Sequence, residues 1–321
     1  MKAKVIFSPV RAGETDVKND LPDLFPGFDS ITVEANDVRL FCRTGGSGPP
    51  LLLLHGYPQS HVCWHKVAPQ LAEHFTLVLP DLPGYGRSSV PPLSHDHAAY
   101  SKRSMASAMV ELMKVLGHST FFLAGHDRGG RVAYRLALDH PQALLKVAVL
   151  DILPTCDYWD RMDRLFGLKI YHWMFLAQAA PFPEKTISAA PIRFLDHTLA
   201  SWTAAKTLSC FSKEAMAHNR DWFCEPDRVS ATCEDYRAGA TIDYDHDRAD
   251  LDAGRKILVP LLALWGSKGI ATSVDDPLEV WRGWSRTAVG AALPGGHFLP
   301  EEAPEETVAA LLEFFASASG S

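Results

Sequence analysis

The stretch GHDRGGR, residues 125–131, follows the apolar run TFFLA, residues 120–124, and opens a segment of helical spacing. A strand, a glycine-flanked turn and a helix in that order lift the middle residue of the turn onto the C-terminal edge of a sheet. Ligands of open α/β sheets bind at that edge. Here the lifted residue is Asp127, with Arg128 and Arg131 close behind it. Read alone, Asp127 could simply cap the helix. The glycines at 125, 129 and 130, and the partners that the rest of the chain offers, favour a nucleophile.

Outward from this turn, the chain alternates short strands with helices. ITVEAND and VRLFCRT (31–37 and 38–44) read as a hairpin about an Asn36–Asp37 turn. PPLLLLHG (49–56), TLVLPDLPG (76–84), LKVAVLDI (145–152) and VPLLALWG (259–266) are continuous apolar runs, as strands buried on both faces require. Helical spacing covers WHKVAPQLAEHF (64–75), SKRSMASAMVELMKVLG (101–117, closed by Gly117), GGRVAYRLALDHP (129–141), EVWRGWS (279–285) and EETVAALLEFFA (305–316). A last strand is expected near TAVGAAL (287–293). The pattern predicts an α/β fold with a mainly parallel central sheet covered by helices on both faces. Residues 155–252 lack buried-strand signals and are rich in aromatic side chains, which predicts an inserted helical cap. The expected division is a tail over 1–20, a core over 21–154 and 253–321, and the cap between.

Composition narrows the function. A net charge of −7 offers no basic stripe for nucleic acid. The six scattered cysteines, without a C-x-x-C pair, point to free thiols in a reducing compartment. No apolar run reaches the roughly 18 residues that a bilayer span needs, and the N-terminal stretch is too weakly apolar for a leader. The reading is a cytoplasmic protein with no membrane partner. The acidic run YDHDRADLD (244–252) has no metal-ligand spacing and reads as a solvated helix face, so no metal site is expected.

Asp127 needs a base. Among fourteen histidines, His297 lies in the Gly-rich loop LPGGHFLPEE between the last strand and the last helix. That is where a late triad histidine belongs in chain order. The strand LLALWG runs on without a carboxylate close behind, whereas VAVLDILP ends its apolar run at Asp151. A carboxylate at the tip of a buried strand needs hydrogen-bond partners, so Asp151 is assigned to orient His297. Asp275 and Asp276 are the fallback acids.

A carboxylate nucleophile sets the reaction class. Attack on saturated carbon by serine would leave an inert ether, whereas attack by Asp127 leaves an ester that water can cleave at the aspartyl carbonyl. His297 would draw the proton from that water. The backbone N–H groups of Arg128 and of HGYPQ near Tyr57 are candidates for the oxyanion hole. Arg128 and Arg131 share a helix face and form a clamp for a substrate carboxylate. The competing reading is that one of them pairs with a protein acid. In the cap, His172, Trp173 and Tyr236 can donate to a departing anion, although aromatic residues there also serve packing.

These residues resemble the fluoroacetate (haloacetate) dehalogenases of the α/β-hydrolase superfamily over roughly Leu21 to Ala316. The stretches that carry the likeness include LLLLHGYPQSHVCWHKVAPQLAEHF, DLPGYGRS, GHDRGGRVAYRLALDHP, LDILPT, KIYHWMFLAQ, CEDYRAGA, LALWGSKGIA and GHFLPEEAP. The resemblance implies the α/β-hydrolase fold, with Asp127 as nucleophile, His297 as base and Asp151 as its acid. It implies Arg128 and Arg131 as carboxylate ligands, and His172, Trp173 and Tyr236 around the halide. Tyr158 and Trp202 would line the pocket. It also implies a cofactor-free enzyme, a small anionic haloacid as substrate and a homodimer. Cys156 and Tyr57 depart from the family pattern and leave the size preference open. An epoxide hydrolase would use the same Asp and His with two cap tyrosines, leaving the arginines idle. A haloalkane dehalogenase would have apolar residues beside the nucleophile. A non-catalytic binding protein would have no need of Asp127, His297 and Asp151 together.

Overall fold

The computed structural model describes Val5–Ile6 by their backbone, residues 21–273 and residues 276–316. Nine strands form one sheet: β1 (Val5–Ile6), β2 (Asp29–Ala35), β3 (Val38–Gly45), β4 (Pro50–Leu54), β5 (Thr76–Pro80), β6 (Phe121–His126), β7 (Leu144–Leu150), β8 (Leu261–Gly266) and β9 (Ala288–Leu293). Their spatial order is β1-β2-β3-β5-β4-β6-β7-β8-β9. The pairs from β5 to β9 are all parallel, and β1, β2 and β3 add antiparallel strands at one edge. The β2–β3 hairpin turns at Asn36 and Asp37, both at positive φ (48° and 65°), as a two-residue turn matched to strand twist requires.

The helices are α1 (Ala68–Leu71), α2 (Lys102–Val115), α3 (Arg128–Asp139), α4 (Thr155–Asp160), α5 (Arg164–Lys169), α6 (Tyr171–Leu176), α7 (Phe182–Ser188), α8 (Pro191–Trp202), α9 (Lys213–Phe223), α10 (Pro226–Ala240), α11 (Ile242–Asp252), α12 (Pro277–Trp284), α13 (Leu299–Glu302) and α14 (Pro304–Ala316). Alternate residues of the central strands feed two apolar layers. Leu52, Leu54, Leu123 and Val147 meet α2, α3 and α12 through Met109, Leu136 and Trp281. Leu51, Leu53, Ala124 and Ala148 meet α1 and α14 through Leu71, Leu311 and Phe315. Each buried leucine contributes roughly 1.5–3 kcal/mol relative to exposure. The whole stretch from α4 to α11 lies between β7 and β8 in the chain.

Three expectations are corrected. Within the expected tail, Val5–Ile6 pairs with β2 (Val5↔Val33, Ile6↔Thr32), which occupies backbone groups that β2 would otherwise present at an open edge. The rest of the tail lies outside the described residues. The helix expected over 64–75 is reduced to a 3₁₀ turn at His61–Trp64 and the single turn of α1, because Pro69 supplies no N–H to continue a helix through it. The acidic run of α11 is solvated on one side only: Asp245 and Asp252 are exposed, whereas its other two acids, and Asp243 just before it, turn inward. Asp243, Asp247 and Asp250 are buried. Asp247 accepts from Arg135 Nη2 (2.7 Å) and Tyr134 Oη (2.7 Å), Asp250 from Arg135 and Arg255, and Asp243 from Lys102 N (2.8 Å). Buried carboxylates persist there because α2 and α3 bring cations to meet them.

Candidate active site

Asp127 ends β6 and begins α3 at φ 47°, ψ −116°, a strained backbone for a residue with a side chain. Its amide donates to Leu150 O (3.2 Å) and its carbonyl accepts from Arg131 N (3.0 Å), which hold the turn. The turn is too tight for side chains on its neighbours. A Cβ on Gly129 would lie 2.4 Å from His55 O, and one on Gly56 would lie 2.3 Å from Asp127 Cβ.

The three expected catalytic residues meet. Tyr57 N donates to Asp127 Oδ1 at 2.8 Å. Asp127 Oδ2 lies 3.5 Å from His297 Nε2, and His297 Nδ1 is 2.6 Å from Asp151 Oδ2. Asp151 ends the apolar run of β7 at φ 50°, where its carboxylate also accepts from Gly266 N (3.1 Å) and Ile270 N (3.0 Å). The fallback Asp276 accepts from Leu278 N (2.9 Å) and caps α12, while Asp275 lies outside the described residues.

Charge follows from this geometry. Burial alone would raise the Asp127 pKa, but the nearby charge of His297, with that of Arg128, holds it well below the usual carboxylate range. Burial alone would lower His297, yet Asp127 and Asp151 outweigh it and raise its pKa to about 9. The imidazole is thus a cation clasped between two carboxylates.

The two arginines are partnered unequally. Arg128 donates from Nε to Asp235 Oδ2 (2.9 Å) and from Nη2 to Asp235 Oδ1 (3.0 Å) and O (2.6 Å), leaving Nη1 without a partner. Asp235 also accepts from Lys102 and from Tyr85 Oη (2.6 Å). Arg131 is 0% exposed, and its Nη1 donates only to Leu153 O (2.9 Å) and Thr155 Oγ1 (3.2 Å). Its Nε and Nη2 have no partner, and no carboxylate among the described residues pairs with it.

Aromatic rings complete the enclosure. Arg128 Cζ stands 4.0 Å from the Tyr236 ring centroid, and Arg131 Cζ stands 4.4 Å from that of Trp173 and 4.8 Å from that of Tyr158. Tyr236 meets Trp173 (6.1 Å), His172 (5.6 Å) and Tyr57 (5.3 Å) edge-on. Trp202 joins His172 (4.3 Å) to His297 (5.4 Å). Every site residue expected from the sequence is therefore linked to the others through direct contacts. Burial drives His172 well below its ordinary pKa against the pull of Asp127, so its ring is neutral, and burial keeps the Tyr236 phenol protonated. His172 Nδ1 and the hydroxyls of Tyr57, Tyr158 and Tyr236 are buried without partners. Cys156 sits at the start of α4, where its amide donates to Asp247 Oδ2 (3.2 Å).

Two residues of the site had no role in the sequence reading. His126 Nε2 donates to His297 O at 2.8 Å, and its ring lies 4.7 Å from that of His297. Burial and the neighbouring His297 lower its pKa to about 4, which keeps it neutral. Asp235 is the buried counter-charge of Arg128. Its signal was an acid directly before Tyr236 in an otherwise inward-facing segment. Among the described residues no group of His, Cys, Asp and Glu could hold a metal, and no helix is long and apolar enough to cross a membrane.

Known proteins share this architecture. The family model for the alpha/beta hydrolase fold matches residues 49–304. A fluoroacetate dehalogenase from Burkholderia sp is 44% identical over 295 residues, which cover 92% of this chain and 96% of the relative. A soluble epoxide hydrolase from Corynebacterium sp. (strain C12) is 32% identical over 283 residues, covering 88% of this chain and 95% of the relative. Among solved structures, an alpha/beta hydrolase-type protein from Nostoc sp PCC 7120 superimposes with a TM-score of 0.88 at 47% identity, covering 91% of this chain and 99% of its own.

Proposed function

Because the chain belongs to the α/β-hydrolase family, in its fluoroacetate dehalogenase branch, we propose that it hydrolyses haloacetates such as fluoroacetate and chloroacetate to glycolate and halide. The observation that carries this reading is the buried Arg131 guanidinium, which has no carboxylate partner among the described residues and keeps two nitrogens without partners between Tyr158 and Trp173, on the first turn of the helix that follows Asp127. An uncompensated buried cation is costly, and a substrate carboxylate balances it.

In the first step the Asp127 carboxylate attacks the halogen-bearing carbon. The carbon–halogen bond breaks, and the halide leaves toward the N–H and O–H donors of His172, Trp173 and Tyr236. Arg131, with Nη1 of Arg128, fixes the substrate carboxylate so that the carbon faces Asp127. In the second step His297 takes a proton from water through Nε2, and the hydroxide attacks the aspartyl carbonyl carbon. The Tyr57 N–H, already 2.8 Å from Asp127 Oδ1, is placed to hold the oxyanion, with the Arg128 N–H as the second candidate. Collapse breaks the bond from that carbon to the glycolate oxygen, which takes the proton back from His297 Nε2 as glycolate leaves; Asp127 keeps one oxygen from water and releases the remaining proton to solvent. Asp151 holds the His297 tautomer throughout. The scheme uses water alone and no cofactor.

Formation of the ester also prepares the base. The two carboxylates keep His297 protonated in the resting site. Alkylation removes the Asp127 charge, so His297 loses its proton more readily at the moment when a base is needed.

In this reading residues 155–252 form a cap that brings the halide donors onto a core of residues 21–154 and 253–321. The enzyme would work in the cytoplasm as a homodimer. Light scattering of the purified chain tests the dimer.

A second reading, epoxide hydrolysis, is favoured by the hydroxyls of Tyr236 and Tyr158, both buried without partners as two epoxide donors would be. A neutral epoxide, however, leaves the Arg131 charge unmatched. A fluoride electrode decides between them. Fluoride release from fluoroacetate supports the dehalogenase, whereas turnover of styrene oxide with no halide release from fluoroacetate or chloroacetate overturns it.

A further inference from the structure

The loop that carries His297 has its own anchor, outside the residues assigned so far. Glu302, the last residue of α13, turns its half-buried carboxylate back over this loop. Its Oε2 accepts from Gly296 N at 3.0 Å and its Oε1 accepts from Phe298 N at 3.0 Å, so one carboxylate grips the amides on both sides of His297. The same Oε2 accepts from Ala204 N at 2.7 Å, two residues beyond Trp202. His297 N in turn donates to Trp202 O at 3.0 Å, and the Trp202 ring meets the His297 ring edge-on at 5.4 Å. The close approach tolerates no side chain, since a Cβ on Gly296 would lie 2.4 Å from Ala204 N and 2.6 Å from Trp202 O.

We propose that Glu302 is a positioning residue for the base: it fixes His297 over the ester carbonyl and locks the base loop to the Trp202 wall of the pocket. Charge-assisted bonds to backbone N–H groups are short and directional, so three of them converging on one carboxylate define where the loop sits. Asp151 and His126 hold the ring and carbonyl of His297, and Glu302 holds the chain on which both depend. This inference rests on the two-step reading above, in which His297 acts only after the ester has formed. Displacing the loop should therefore spare the first step and slow the second, because a shift of about 1 Å at a catalytic group costs on the order of a hundredfold.

The shape-conserving test is Glu302→Gln. Its amide nitrogen must face a backbone N–H in place of an acceptor oxygen. Single-turnover reactions with fluoroacetate, quenched and read by mass spectrometry of the Asp127 peptide, separate the two steps. We expect ester formation near the wild-type rate, ester breakdown slower by about tenfold to a hundredfold, and accumulation of the covalent species. Equal loss in both steps, or unchanged breakdown, overturns the proposal. Glu302→Asp keeps the charge but shortens the reach, and it is scored by the same criteria if Glu302→Gln does not fold. A second readout needs no substrate. The downfield proton resonance of the His297–Asp151 hydrogen bond should broaden or shift in the variant, and an unaltered resonance counts against the proposal. Wild-type protein that forms no ester on Asp127 would instead refute the dehalogenase reading, and the resonance alone would then judge the role of Glu302.

Discussion

Arg128 and Arg131 lie one turn apart on α3, yet Arg128 is forked onto the carboxylate of Asp235 whereas Arg131 has no acidic partner among the described residues. The two residues therefore differ in how their charge is met within the fold. The charge of Arg131 is desolvated and met only by Leu153 O, Thr155 Oγ1 and the Tyr158 and Trp173 rings, with no carboxylate among the described residues, which is a cost that an anionic ligand would offset.

Arg131→Met should accordingly raise the melting temperature of the ligand-free protein while raising KM for fluoroacetate by about a hundredfold, the equivalent of roughly 3 kcal/mol for charged hydrogen bonds. Arg128→Met should do the opposite to stability. It strips Asp235 of two side-chain donors, and the loss should be about 3 kcal/mol, moderated by Lys102 and Tyr85. Thermal melts and initial rates on both variants check this. If Arg131→Met melts lower and binds fluoroacetate as before, Arg131 is a structural cation and the clamp is wrong.

The raised pKa of His297 gives a pH prediction with a definite sign. Because the folded value, about 9, lies above the unfolded one near 6.5, the protonated ring stabilises the fold fully below about pH 6.5. That contribution is lost as pH rises through about 9. Asp127→Asn mimics the loss of charge on ester formation and should lower the His297 pKa by about one unit or more. Nuclear magnetic resonance titration of the ring nitrogens in both proteins measures it. An unchanged titration in Asp127→Asn would remove the argument that the first step unmasks the base.

The chain order made much of this site legible. Asp127 and Asp151 each follow a buried strand and His297 follows the half-exposed edge strand β9, and strand ends of a parallel sheet converge on one edge, so the three could be named without coordinates. The cap aromatics were found by resemblance, since their ring contacts depend on how α4, α6, α8 and α10 pack. Polar pairings resisted reading for a physical reason. Asp235 and Arg128 are 107 positions apart, and nothing in local periodicity says that a helix of the insert will present its acid to α3. The buried side of the acidic run of α11 escaped notice for the same cause, because Arg135, which meets Asp247 and Asp250, comes from α3. Val5–Ile6 was missed because a two-residue strand carries no periodicity, and it forms only where β2 offers an open edge.

Tyr236 offers the sharpest test of halogen preference. Its hydroxyl is buried without a partner, and its ring is fixed by Arg128 at 4.0 Å and by Tyr57, His172 and Trp173. Phenylalanine keeps that ring, so Tyr236→Phe removes one donor and little else. Fluoride is small and holds its charge tightly, so its departure depends on every hydrogen bond that forms as the carbon–fluorine bond stretches. Chloride spreads its charge over a larger ion and needs such donors less. Removing one preorganised donor to developing charge costs on the order of a hundredfold or more when the transition state relies on it. We expect kcat for fluoroacetate to fall by about that factor and kcat for chloroacetate to fall by about tenfold or less, with KM for both little changed because Arg131 is untouched. Parallel fluoride and chloride electrode assays give the ratio directly. Equal losses on the two substrates would mean that Tyr236 supports the pocket through its ring alone, and the donor would have to be sought at His172, Trp173 or Tyr158.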